Sequence, residues 1–225
     1  MKHLFCLILL VVLGSGQTIV LASLADVQAL VKQVDARYLD TQDLQAEFSQ
    51  ETQIEGFDSR LTSSGRVLLK KPGLLRWDYQ KPNVEHILVD GDHVMWYVPE
   101  HQQVVKGNLT QMAASKAPLT LLQGVGKLGE QFDIATSANQ DKSAGELPLV
   151  VLVPKREDQP TSTVTRIELT IDPTSYLIRQ IVLHEKTGNI STLQFSNIRT
   201  NQGLDANVLH LTMPDDVVVV DAPTM

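Results

Sequence analysis

The residues best suited by type to hold a phosphate are Gly124-Val125-Gly126-Lys127-Leu128-Gly129, which spell the G-x-G-x-x-G string of dinucleotide sites. That chemistry needs a strand before the glycines and a helix after them, so that helix N-terminal amides face a pyrophosphate. Here a stretch of helical character, 118–123, precedes the glycines, and Glu130-Gln131 leads into a strand at Phe132. A P-loop is excluded as well, because leucine follows Lys127 and Leu121 stands where the first glycine belongs. The six histidines are scattered without ligand spacing. His184-Glu185 begins like a helical zinc-protease motif, but Gly188 occupies the place of the second histidine. A G-x-S-x-G elbow is absent. Asp90 and Asp92 flank Gly91 as turn residues rather than as an acid-base pair. With no catalytic constellation, no metal set and no cofactor motif, the expectation is a protein that binds rather than an enzyme.

The elements that would carry a binding surface begin after an export signal. Met1-Lys2-His3 gives a basic start, Leu4 to Leu13 is an apolar run interrupted by Cys6, and small residues follow up to Ala22 and Ala25. These are the parts of a secretory signal peptide over residues 1–22, with cleavage after Ala25 the alternative. The run is too short to span a bilayer, which takes roughly 20 apolar residues. Cys6 is the one cysteine, so residues 23–225 must be held by their core, and their length suits a single domain. The formal net charge of −7, without a basic run, excludes nucleic acid as a partner.

Val27, Leu30, Val31, Val34 and Tyr38 recur at helical spacing and predict an amphipathic N-terminal helix with Asp26 as its cap. Strand signals then dominate. Leu44, Ala46 and Phe48 alternate with polar residues, and segments at 65–70, 74–79, 86–89, 94–98 and 103–106 follow. Pro72-Gly73 and Asp90-Gly91-Asp92 mark turns between them. After a Met-, Ala-, Leu- and Gly-rich insertion at 107–132, strands resume at 132–136, 147–154, 164–171, 176–184, 190–198 and 208–211. About eleven antiparallel strands tend to curl or close rather than stay flat.

Period-two geometry puts Leu75, Trp77 and Tyr79 on one face and Leu74, Arg76 and Asp78 on the other. Val151 and Val153, Ile167 and Leu169, and Ile181 and Leu183 supply similar inward rows. A curled sheet with such an interior is either packed shut or encloses an apolar chamber. The insertion, with Met112, Leu119, Leu121 and Leu122, is placed to cover the mouth as a lid.

The run Gly65-Arg66-Val67-Leu68-Leu69-Lys70-Lys71-Pro72-Gly73-Leu74-Leu75-Arg76-Trp77-Asp78-Tyr79 resembles a stretch of the periplasmic outer-membrane lipoprotein carrier family of the Lol pathway. Phe48-Ser49-Gln50, Asp90-Gly91, Tyr97-Val98-Pro99, 118–124, Pro154-Lys155 and Met213-Pro214 agree in the same order. The resemblance implies a mainly β fold, an unclosed antiparallel half-barrel with an N-terminal helix and a helical lid over an apolar cavity. It implies a periplasmic, monomeric carrier of lipoprotein acyl chains from the inner to the outer membrane. Its partners would be the lipoproteins, an ATP-driven inner-membrane release complex and an outer-membrane acceptor. A lipid-sensing regulatory protein on the same fold is the alternative. The cavity wall is assigned to Leu75, Trp77, Tyr79, Leu119, Leu121, Leu122, Val151, Val153, Ile167, Leu169, Ile181 and Leu183. The family often has arginine before the proline, where it holds the lid. Here that residue is Lys71, expected to latch the lid by bonding the carbonyls that end helix 118–124.

Overall fold

The computed structural model describes residues 24–112, 128–136, 147–155 and 163–222. The chain opens on helix α1 (Leu24–Asp40), whose Val27, Val31, Val34 and Tyr38 are buried along one stripe. Asp26 lies in its first turn rather than at its cap, because the helix already includes Leu24. Six strands follow as a meander: β1 (Asp43–Gln53), β2 (Arg60–Lys70), β3 (Leu74–Lys81), β4 (Glu85–Asp90), β5 (His93–Val98) and β6 (Gln103–Asn108). Short helices α2 (Leu109–Met112) and α3 (Leu128–Gln131) precede a second meander: β7 (Phe132–Ala135), β8 (Leu149–Pro154), β9 (Val164–Ile171), β10 (Ile178–Glu185) and β11 (Ile190–Thr200). A 3-10 turn (Ala206–Leu209) and β12 (Val218–Asp221) complete the described chain.

All twelve strands form one sheet in the order β12-β6-β5-β4-β3-β2-β1-β11-β10-β9-β8-β7. Its two ends, β12 and β7, are not paired with each other, so the barrel is unclosed. The meanders meet where β1 runs antiparallel to β11, with Phe48 opposite Phe195 and Gln50 opposite Leu193. The sheet has twelve strands where about eleven were expected, and its C-terminal strand lies later in the chain than expected. Residues 208–211 form no strand; Leu209 is buried in the 3-10 turn, and β12 adds a parallel edge to β6.

One face of the sheet carries α1. On this inner face the rows run Leu44, Leu69, Leu75, Val89 and Val94, then Ala46, Val67, Trp77, Ile87 and Trp96. In the second meander Leu193, Ile181, Leu169 and Val150 form one row across β11 to β8. Buried members of these rows and the α1 stripe join in one hydrophobic core. The Tyr38 hydroxyl accepts a hydrogen bond from the Ile178 backbone N–H at 3.2 Å, which fixes the end of α1 to β10. Burial pushes the Tyr38 pKa up to about 12, against smaller opposing pulls from that bond and from Arg37 and Arg179.

The outer face is not simply solvated. Leu68, Leu88 and Tyr97 are buried there, and the 3-10 turn packs on β3. Arg76 fastens this turn, its Nη1 donating to the Val208 carbonyl at 3.0 Å and the His210 carbonyl at 2.9 Å. Behind it lies Asp78, 2% exposed. Its carboxylate accepts from Arg76 Nε and Arg66 Nε, both at 2.8 Å, and lies 2.6 Å from His86 Nδ1. Burial works to raise the Asp78 pKa, but the bonds from Arg76, His86 and Arg66 outweigh it and hold the carboxyl below the usual range.

Candidate functional site

The inner face of β1–β5 and β11 is the place where large apolar side chains from distant parts of the chain converge. Alternation along β3 sends Leu75, Trp77 and Tyr79 to this face, and alternation along β1 brings Phe48 beside them. The Phe48 and Trp77 ring centroids stand 4.5 Å apart, and Phe48 meets Tyr79 edge-on at 5.2 Å. Phe195, delivered by β11, stands edge-on to Trp77 at 6.2 Å. These separations lie in the range where aromatic pairs contribute about 0.5–1.5 kcal/mol beyond the area they bury.

Gly65 makes the cluster geometrically possible. It lies on β2 between Phe48 and Tyr79, and a Cβ built there would sit 1.9 Å from the Asp78 carbonyl oxygen and 3.0 Å from the Phe48 ring. With no side chain in the way, the Tyr79 hydroxyl reaches across β2 to donate to Gln50 Oε1 at 2.9 Å.

Toward the β1–β2 turn the face changes character. Gln50 and Thr52 continue the inward parity of Leu44, Ala46 and Phe48. Thr52 Oγ1 lies 2.9 Å from Ser191 Oγ, and Gln50 Nε2 makes a long 3.4 Å contact with Thr52 Oγ1. On β4, Glu85 sits opposite Tyr79 and accepts from Trp96 Nε1 at 2.8 Å. Burial, with the Glu85 charge adding to it, pushes the Tyr79 pKa up to about 12, while the nearby Trp77 indole exerts a smaller opposing pull. Tyr79 is therefore a neutral hydroxyl at any ordinary pH. Trp77 Nε1 itself is buried with no hydrogen bond of proper geometry.

The expected wall residues fall into four groups. Leu75, Trp77 and Tyr79 share the inner face, the first two each 1% exposed. Ile167, Leu169, Ile181 and Leu183 also face inward, but they are sealed in the core that α1 completes. Residues this covered meet a ligand only if a neighbour moves. Val151 and Val153 are corrected to the outer face: Val151 pairs with Glu168 and Val153 with Asp133, while Val150 and Leu152 enter the core. Leu119, Leu121 and Leu122, with the expected lid helix, lie outside the described residues.

The partner expected for Lys71, the end of helix 118–124, lies outside the described residues, and within them Lys71 has another. Its ammonium donates to the Tyr38 and Leu39 carbonyls, each at 2.6 Å, at the C-terminal end of α1. This is the attraction of a cation to the exposed carbonyls that end a helix, here α1. Among the described residues no cluster of His, Cys, Asp and Glu could hold a metal, and no helix is long and apolar enough to cross a membrane.

The chain is similar to known proteins over most of its length. The profile of the outer membrane lipoprotein carrier protein LolA family matches residues 40–212. An outer-membrane lipoprotein carrier protein of Pseudomonas paraeruginosa is 29% identical over 197 residues, covering 87% of this chain and 89% of that protein. A protein of the same description from Methylococcus capsulatus is 30% identical over 178 residues, covering 79% and 81%. Among solved structures, an uncharacterized conserved protein from Thermus thermophilus superposes with a TM-score of 0.52 at 15% identity, over 86% of this chain and 98% of that one. A DUF1329 family protein from Desulfovibrio piger gives 0.50 at 13% identity, over 82% and 97%.

Proposed function

Because this chain belongs to the outer membrane lipoprotein carrier family, we propose that it takes up the acyl chains of lipoproteins on the inner face of its sheet and ferries them from the inner to the outer membrane. The observation that carries this reading is the aromatic and aliphatic wall of Phe48, Leu75, Trp77, Tyr79 and Phe195 on an unclosed sheet. Burying each methylene contributes about 0.8 kcal/mol, so two or three long chains left in water cost tens of kcal/mol. A lipoprotein therefore cannot cross an aqueous gap alone, and a carrier has to offer an apolar wall. The same wall must be covered while empty, or the carrier aggregates. The near-complete burial of Leu75 and Trp77 is what a covered, empty wall requires.

In this reading residues 1–22 export the chain, the remainder works in the periplasm as a monomer, and the handover uses no cofactor and no catalysis. Cargo arrives from an ATP-driven complex in the inner membrane and leaves to an acceptor at the outer membrane. Lipoproteins recovered with the chain from its own periplasm, identified by mass spectrometry of their acylated peptides, test this directly. The expected result is a set of outer-membrane lipoproteins in equimolar complex. Recovery of a single unacylated membrane-protein domain instead, with no acyl chain bound, would overturn the carrier reading in favour of a regulatory one.

A further inference from the structure

Six side chains form a polar belt across the otherwise apolar inner face: Trp96, Glu85, Tyr79, Gln50, Thr52 and Ser191, from strands β5, β4, β3, β1 and β11. They are linked by Trp96 Nε1–Glu85 at 2.8 Å, Tyr79 Oη–Gln50 at 2.9 Å and Thr52–Ser191 at 2.9 Å. Ser191 is buried and the other five are half-buried, at the border of the core, where a polar group needs either a protein partner or water. The belt is not fully bonded within the protein. The Thr52–Ser191 pair shares one hydrogen bond between two hydroxyls, which leaves a second O–H to give. Gln50 Nε2 makes only a 3.4 Å contact, so its amide hydrogens are poorly used. Trp77 Nε1, buried beside the belt, has no acceptor in good hydrogen-bonding geometry. The surplus is in donors, and it faces the same space as the aromatic wall.

An acyl chain is always joined to its carrier group through a carbonyl, ester or amide, and a carbonyl is an acceptor without a donor. We propose that the belt is the subsite for the acyl linkages of the cargo: Gln50, the Thr52–Ser191 pair and Trp77 Nε1 donate to the ester or amide carbonyls, and the hydrocarbon runs along the inner face toward Leu44, Leu69 and Leu75. The belt then sets the polarity of loading, with the head of the lipopeptide at the β1–β2 end of the sheet and the chain ends near Lys71. This inference rests on the acyl-binding reading above and adds to it the recognition of the linkage itself.

The test compares two synthetic lipopeptides that differ only in the linkage: a diacylglyceryl-cysteine peptide and its dialkyl ether analogue, which has the same chains and no ester carbonyls. Binding to the whole chain, from residue 23 onward, is measured by titration calorimetry. The unaltered protein should hold the ester about tenfold more tightly than the ether. The double variant Gln50→Leu, Thr52→Val should bind the ether as before and lose that preference. Equal affinity of the unaltered protein for ester and ether overturns the proposal and leaves acyl binding intact. An equal loss for both ligands in the variant overturns it too, because that result reports damage to the wall. If the unaltered protein binds neither ligand, the acyl-binding reading fails first and the belt falls with it.

Discussion

At the scale of single residues, Gly65 is the tightest constraint in the site. The atom that blocks a Cβ there is the backbone carbonyl of Asp78, which the β2–β3 ladder holds in place, so no rotamer change relieves the clash. Gly65→Ala should destabilise the chain by about 2–3 kcal/mol in urea unfolding and loosen the Phe48–Tyr79 contact. An unchanged midpoint would show that β2 and β3 can separate at no cost. Lys71 gives a second residue-level expectation. Lys71→Met removes the cation from the end of α1 and should cost about 1 kcal/mol, with faster amide exchange in the last turn of α1 and little effect on β2 and β3. Exchange that speeds up across the sheet and spares α1 would contradict the contact. Lys70 is not a neutral control for this variant, because its ammonium donates to the Leu204 carbonyl at 2.6 Å. The sequence suggests a helix end as the partner of Lys71 but does not point to α1, since that contact depends on how α1 crosses the sheet.

At the scale of elements, legibility followed the clarity of the alternation. In β3, charged Arg76 and Asp78 alternate with Leu75 and Trp77, and period two alone separates its two faces. In β8 the run Leu149-Val150-Val151-Leu152-Val153 is apolar throughout, so period two offers two equal solutions. The register against β9, with Glu168 opposite Val151, is what decides between them. The polar belt is legible in principle, because Gln50 and Thr52 continue the inward parity of β1, and polarity at inward positions is its signal. The turns that tie these strands together also set the response to acid. Asp43 accepts from the backbone N–H groups of Gln202, Gly203 and Leu204. Burial raises its pKa, but those bonds and Lys70 prevail and hold it below its ordinary 3.8. Asp172 is lowered to about 2, first by the Ser175 N–H and then by Arg179. Asp78 is lowered as well. A carboxyl that titrates lower in the folded chain stabilises it fully above its ordinary pKa and loses that contribution as pH falls through the folded value. Stability should therefore hold from neutrality down to about pH 4 and decline toward pH 2, as read from urea midpoints across that range. A decline centred near pH 6 would point to histidine instead.

At the scale of the whole molecule, one core spans both meanders, since Leu75 of β3 and Leu152 of β8 belong to the same cluster as Val31 of α1. Unfolding should accordingly be a single cooperative transition, with tryptophan fluorescence, from Trp77 and Trp96 in the first meander, coinciding with far-UV circular dichroism from the entire sheet. Separate midpoints would mean that the halves are energetically independent. The junction between them has a kinetic side as well. Apart from the late β12–β6 edge, every neighbouring pair in the sheet is consecutive in the chain except β1 with β11. Each meander can zip from local hairpins within microseconds, whereas joining Phe48 to Phe195 requires residues from opposite ends of the chain to find each other. Until that seam closes, Phe48, Trp77 and Tyr79 on one side and Phe195 and Leu193 on the other are bare to water. The surface that suits this protein to greasy cargo is thus also the surface it must shelter from other copies of itself during folding, and the length of that exposure is set by one strand pairing.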